Sequence, residues 1–115
     1  MHAFVQASRS GIPVAFSGSS EQIRVSAALA VNAGMTPESA MLALTSGAAR
    51  LLGMPAGSGE IEPGQPADLV VWNNTPLNLA ARPEVVIIDG KEFEPDAVKQ
   101  KLVPVSPSRL AGSGD

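Results

Sequence analysis

The chain has no cysteine, no tyrosine and a single histidine among its 115 residues. Without cysteine it has no disulfide, no thiolate nucleophile and no cysteine-type zinc site. The one histidine, His2, stands beside the initial Met with no Asp or Glu close to it in sequence. One imidazole cannot hold a metal centre, so a solvated terminal side chain, or the remnant of an earlier strand and loop, is the simpler reading. Large rings are nearly absent, leaving only Phe4, Phe16, Trp72 and Phe93. Any core is therefore built from Val, Ile, Leu, Met and Ala. Eight scattered basic residues against eleven acidic ones give a net charge of −3, and no basic patch for a nucleic-acid partner can be drawn. No run of about 18 apolar residues occurs and no charged-then-apolar leader opens the chain, so neither a membrane span nor a signal peptide is readable. Cytoplasm is the default compartment, with secretion of a longer parent protein left open.

What is present is enough apolar side chain for a core, 44% hydrophobic against 17% charged. After Gly11, the run Ile12-Pro13-Val14-Ala15-Phe16 is closed by Ser17-Gly18-Ser19-Ser20 and predicts a buried strand. A helix is expected from Glu21 to Asn32, with Ser19 or Ser20 as N-cap, an apolar face of Ile23, Ala27, Ala28, Leu29 and Val31, and a stop at Ala33-Gly34. Thr36 caps the next helix, with Pro37 in its first turn and Glu38 against the positive helix end. Its apolar face is Met41, Leu42 and Leu44, with Ala40 and Ala43 packing close. Ser46 and Gly47 interrupt the pattern, and Ala48 to Leu52 makes a last helical turn closed by Gly53. The remainder reads as β: a short strand Glu60-Ile61-Glu62, a turn at Pro63-Gly64, a strand from Ala67 to Trp72, and a hairpin of Val85 to Ile88 and Lys91 to Phe93 about Asp89-Gly90. Pro95 to Leu102 fits a short helix, and the Pro-, Ser- and Gly-rich end reads as a mobile tail. The expected organisation is 1–54, 55–94 and 95–115.

The stretch from Thr36 to Asp68 carries a more specific signal. Thr36-Pro37-Glu38 opens a helix, Thr45 through Ala49 to Leu52-Gly53 follows a Thr-x-x-x-Ala-x-x-Leu-Gly pattern, and Gly59-Glu60-Ile61-Glu62-Pro63-Gly64-Gln65-Pro66-Ala67-Asp68-Leu69-Val70-Val71 completes it. This succession resembles the C-terminal part of a metal-dependent amidohydrolase of the imidazolonepropionase and dipeptidase kind. The resemblance covers about Gly11 to Phe93. It implies an α/β fragment: the last βα unit of a (β/α)8 barrel (residues 1–54), then strands of a small β-sandwich (55–94). A whole barrel takes about 250 residues.

The resemblance also implies chemistry. The family hydrolyses carbon–nitrogen bonds other than peptide bonds with zinc or another divalent ion. It holds the ion through a His-x-His pair, a carboxylated Lys or Glu, two further His, and an Asp at the end of the eighth strand. The first five fall before the matched segment. The Asp is the one catalytic position that falls inside it, in a Gly-Thr-Asp tripeptide, and Ser17-Gly18-Ser19 stands in its place. Ser19 thus occupies the position of the family's catalytic Asp, and a hydroxyl is a far weaker ligand and base than a carboxylate. Glu21 lies near the same rim as a candidate substitute, but a first-turn role at the helix dipole is the simpler reading. Ser17, Ser19 and Ser20 have no accompanying base and no Gly-x-Ser-x-Gly elbow, which leaves them as cap and turn residues. The Gly18-Ser19-Ser20 amides resemble any helix start able to meet an anion. Asp68 is expected to bond amides of the Pro63-Gly64 loop, and Arg50 to pair with a nearby carboxylate or helix end. Gly47-Ala48 replaces the family's frequent Asn-Pro.

No catalytic, cofactor-binding or metal-binding residue is therefore assigned, and the chain alone is expected to be catalytically silent. Its expected partner is the N-terminal part of the same fold or another copy of the chain. The alternatives are a non-catalytic binding or scaffolding relative, and a small domain that self-associates through open sheet edges.

Overall fold

A computed structural model describes residues 1–96. Most of the helix expected over Pro95 to Leu102, and the tail after it, lie outside the described residues. The chain divides into two compact units, Met1–Pro66 with Asn74–Arg82, and Ala67–Asn73 with the chain from Pro83 onward.

The first unit is helical: α1 (His2–Arg9), α2 (Ser20–Asn32), α3 (Pro37–Leu44) and α4 (Ser46–Leu51). α1 answers to no expectation from the sequence. Its N-cap is Met1, which makes no side-chain cap bond, and its first turn holds no acidic residue, so the usual start signals are absent. Tertiary contact supplies what capping does not, since Val5 is buried and the Phe4 ring stacks on Phe16 with centroids 4.6 Å apart.

α2 begins on Ser19, one of the two caps the sequence offers, and α3 on Thr36 as expected. The Thr36 side chain accepts from the Ser39 amide at 3.1 Å and Pro37 occupies the first turn. Three helices end alike. The amide two residues past the cap reaches back to a carbonyl of the last turn: Ile12 to Ala7, Met35 to Ala30 and Met54 to Ala49. Gly11, Gly34 and Gly53 supply the positive φ that this closure requires.

Between α3 and α4 the helix breaks at one residue, Thr45 (φ −126°, ψ −108°), whose hydroxyl donates to the Met41 carbonyl at 2.7 Å. Ser46 and Gly47 do not interrupt the pattern as expected; they form the first turn of α4. Glycine is required at 47 because a Cβ there would sit 2.6 Å from the Leu42 carbonyl oxygen.

The core of this unit is Val5, Ala27, Ala30, Met35, Ala40 and Ala43, with Phe4, Val14, Phe16, Val31, Leu44 and Leu77 packed against it. Small residues let α2 and α3 approach closely, with Leu44 packed against them while Leu29 and Leu42 face outward. Leu29 is 53% exposed and Leu42 54%, so both leave the apolar faces to which their spacing assigned them. Arg24 on α2 ties the loop 74–82 to the helices, its Nη1 donating to the carbonyls of Pro76, Asn78 and Ala81 at 3.3–3.4 Å.

Two expected strands do not form among the described residues. Ile12 to Phe16 carries no strand ladder. A strand exists only against a neighbour, and here Val14 and Phe16 pack on helices while Pro13 has no donor. Glu60-Ile61-Glu62 is loop, with Ile61 87% exposed. Gly57 and Gly59 hold positive φ just before it, and the Glu60 amide closes a turn onto the Gly57 carbonyl.

The second unit contains a three-stranded antiparallel sheet in the order β1 (Leu69–Trp72), β2 (Pro83–Ile88), β3 (Lys91–Phe93). Register runs Leu69 to Ile87 and Val71 to Val85 on one side, and Val86 to Phe93 on the other, with a bulge between Val71 and Trp72. Asp89 (φ 51°) and Gly90 (φ 78°) make the two-residue turn expected of Asp-Gly.

Candidate functional site

The segment from Ser17 to Gln22 is where the resemblance locates the one catalytic position within this chain. Ser19 is the N-cap of α2. Its hydroxyl accepts from the Gln22 amide at 3.3 Å, and its own amide donates to Gln22 Oε1 at 3.1 Å, a reciprocal capping box. Both groups of Ser19 are thus engaged with the helix start. The Ser19 amide, one of the three considered for an anion, is taken by the Gln22 side chain. Gly18 has φ +132°, and a Cβ there would lie 3.0 Å from Gln22 Oε1, so the glycine makes room for the box. Nothing in the sequence reading singled out Gln22, yet a Ser-x-x-Gln spacing before an apolar run is its signature.

The other singled-out residues take ordinary places. Glu21 is exposed in the first turn of α2, as the helix-dipole reading expected. His2 is exposed at the start of α1. Ser17 and Ser20 are exposed. Arg50 meets Glu60 at 3.5 Å with its side chain 77% exposed, a pairing of the expected kind that contributes little. Asp68 finds a different partner from the one expected: its Oδ1 accepts from the Asp89 amide at 2.8 Å, bracing the hairpin turn 21 residues on, where the Pro63-Gly64 loop had been expected.

Among the described residues no group of three or more His, Cys, Asp or Glu is placed to hold a metal ion. A zinc site draws on about four such donors. The donors of the described residues therefore do not fit the divalent ion of the family, and no catalytic step is derived through one.

A cleft of about 390 Å³ lies in the helical unit, walled by Ile12, Pro13, Val14, Leu42, Ala43 and Leu51. Arg50 is the one charged side chain at its lining. It has a volume suited to a small molecule, yet it brings no acid and base together.

Comparison with known proteins agrees with the motifs. Residues 8–93 match the Amidohydrolase family. The chain belongs to that family. It is 34% identical over 82 residues to "Amidohydrolase tasK" of Hapsidospora irregularis, covering 70% of this chain and 8% of that protein. It is 40% identical over 65 residues to an imidazolonepropionase of Photobacterium profundum, covering 51% of this chain and 16% of that one. In structure it resembles an amidohydrolase from Thermotoga maritima MSB8, with a TM-score of 0.72 and 33% identity over 81% of this chain and 26% of that one. The chain is thus a mixed α/β hydrolase relative that spans less than a fifth of those two curated relatives and about a quarter of the solved one. Among the described residues no helix is long and apolar enough to cross a membrane.

Proposed function

We infer that this chain is the C-terminal portion of an amidohydrolase-type hydrolase acting on carbon–nitrogen bonds other than peptide bonds, and that it is catalytically silent by itself. One observation carries the reading: similarity to amidohydrolases runs through residues 8–93, yet the aligned part is 26% of the solved relative. On this reading the segment before α2 and the helices after it belong to the last βα unit of the barrel, and β1 to β3 to the small β-sandwich. The metal ligands lie in the rest of the fold, which is the chain's partner. Ser19 stands where the catalytic Asp would be and acts as a helix cap.

The test is an assay of the purified 115-residue chain for amidase and lactamase turnover, with and without a chelator, beside its zinc content by mass spectrometry. The expected result is no turnover and no stoichiometric metal. Chelator-sensitive hydrolysis by this chain would sink the inference.

A second reading, self-association through open sheet edges, is favoured by β1. Its Val70 and Val71 are 45% and 44% exposed, and it has no described neighbour on its outer side.

A further inference from the structure

We propose that Asp89 is a site of spontaneous isoaspartate formation, and that the carboxylate of Asp68 holds it shut. The inference is independent of the proposed hydrolase ancestry. Asp89 is exposed at the tip of the β2–β3 hairpin and is followed by Gly90, around whose Cα nothing lies within 4 Å of a would-be side chain. An Asp-Gly pair is chemically vulnerable, because no side chain on the second residue shields its backbone nitrogen. That nitrogen attacks Cγ of the protonated Asp89 carboxyl, and a C–N bond forms. The carboxyl hydroxyl leaves as water with the amide proton, which closes a five-membered succinimide. Water then reopens the ring. Attack at Cγ restores Asp89, whereas attack at the backbone carbonyl gives isoaspartate, with the chain running through the former side chain. One water leaves and one returns, so no other reactant is needed.

Two bonds oppose ring closure, and both come from the residues just before β1. The Gly90 amide, whose nitrogen must attack, donates to the Ala67 carbonyl at 3.1 Å. The Asp89 amide donates to Asp68 Oδ1 at 2.8 Å, a short bond of the charge-assisted kind. Attack requires the Gly90 nitrogen to surrender its proton and swing away from Ala67. The Asp68 carboxylate fixes the peptide immediately before it in the left-handed turn (Asp89 φ 51°). Conversion would add a backbone methylene to a two-residue loop, and the pairing of Ile88 with Lys91 and Val86 with Phe93 could not keep its register. The turn is therefore a timed weak point whose rate reports on one side-chain bond.

The experiment incubates the full chain at neutral pH in water enriched in oxygen-18 and quantifies isoaspartate and label at Asp89 by peptide mapping. A synthetic peptide spanning residues 85–94 serves as the unrestrained reference. The folded chain is expected to convert at least about tenfold more slowly than the peptide, and Asp68→Ala about tenfold faster than the natural chain, the scale of one hydrogen bond to a charged group. Asp68→Asn keeps an acceptor oxygen but loses the charge, and is expected to convert at a rate between those of the natural chain and Asp68→Ala. Conversion of the natural chain at the peptide's rate overturns the proposal, and so does an Asp68→Ala chain that retains its circular dichroism and the natural rate. Should Asp68→Ala unfold, Asp68→Asn decides: a folded chain converting faster than the natural one supports the carboxylate's role, and the natural rate refutes it.

Discussion

Ser19, the residue that the resemblance set against a catalytic Asp, caps a helix in the fold. Its hydroxyl and amide are both engaged by Gln22, so the residue starts the helix. Asp is as good an N-cap as Ser, and Ala is not. Ser19→Asp should therefore leave stability in urea unchanged, whereas Ser19→Ala should lower it by about 1 kcal/mol. A destabilised Ser19→Asp chain would show that the helix start does not accept a carboxylate as its cap. Glycines give the second residue-scale expectation. A Cβ at Gly59 would lie 2.7 Å from the Ser46 amide nitrogen, in a backbone with φ +80°. Gly59→Ala should cost about 1–3 kcal/mol, from strain and close approach together. A urea midpoint matching the natural chain's would refute that. Arg50 was expected to meet a carboxylate or a helix end without Glu60 being singled out. The cap at Ser19 was legible in the sequence as one of two candidates, because it depends on Gln22 three residues away. The partner of Asp68 was not, because a bond spanning 21 residues is set by which strands meet.

At the scale of elements the same division holds. α2, α3 and the β2–β3 hairpin have local starts and stops, Ser19, Thr36 and Asp89-Gly90, and they form where those signals lie. α1 has no capping signal and is held by Val5 and the Phe4–Phe16 stack, contacts that only the folded chain creates. Ile12 to Phe16 fails in the opposite way: its composition suits a strand, but no described strand pairs with it. Apolar spacing placed Ala27, Ala40 and Ala43 correctly on the packed side but also assigned Leu29 and Leu42 to it, and those two face outward. Ala27, Ala30 and Ala40 are fully buried while Leu29 and Leu42 are half exposed. Enlarging the small residue should therefore hurt more than removing the large one. Ala30→Leu is expected to destabilise by about 1–3 kcal/mol through overpacking, and Leu29→Ala by less, with paired urea melts as the check. A larger loss for Leu29→Ala would mean that the leucine face, and not the alanine face, carries the packing.

For the molecule as a whole, the outward apolar residues bear on the partner inferred above. Leu42, Leu51, Leu52 and Ile61 are all more than half exposed, and the sheet is guarded unequally. The outer strand β3 carries Lys91 and Glu92, while β1 reads Leu69-Val70-Val71-Trp72 with no charge along it. Charges on an edge strand deter pairing with another chain, and β1 lacks them. If β1 recruits a second copy, sedimentation velocity should show a dimer fraction that grows with concentration. Val70→Lys, placed on that edge, should abolish it, whereas Ile61→Lys in the loop should not. Loss of the dimer with Ile61→Lys and not with Val70→Lys would move the interface from the sheet edge to the loop of the helical unit. A chain monomeric at every concentration would leave the remainder of the amidohydrolase fold as the partner for β1.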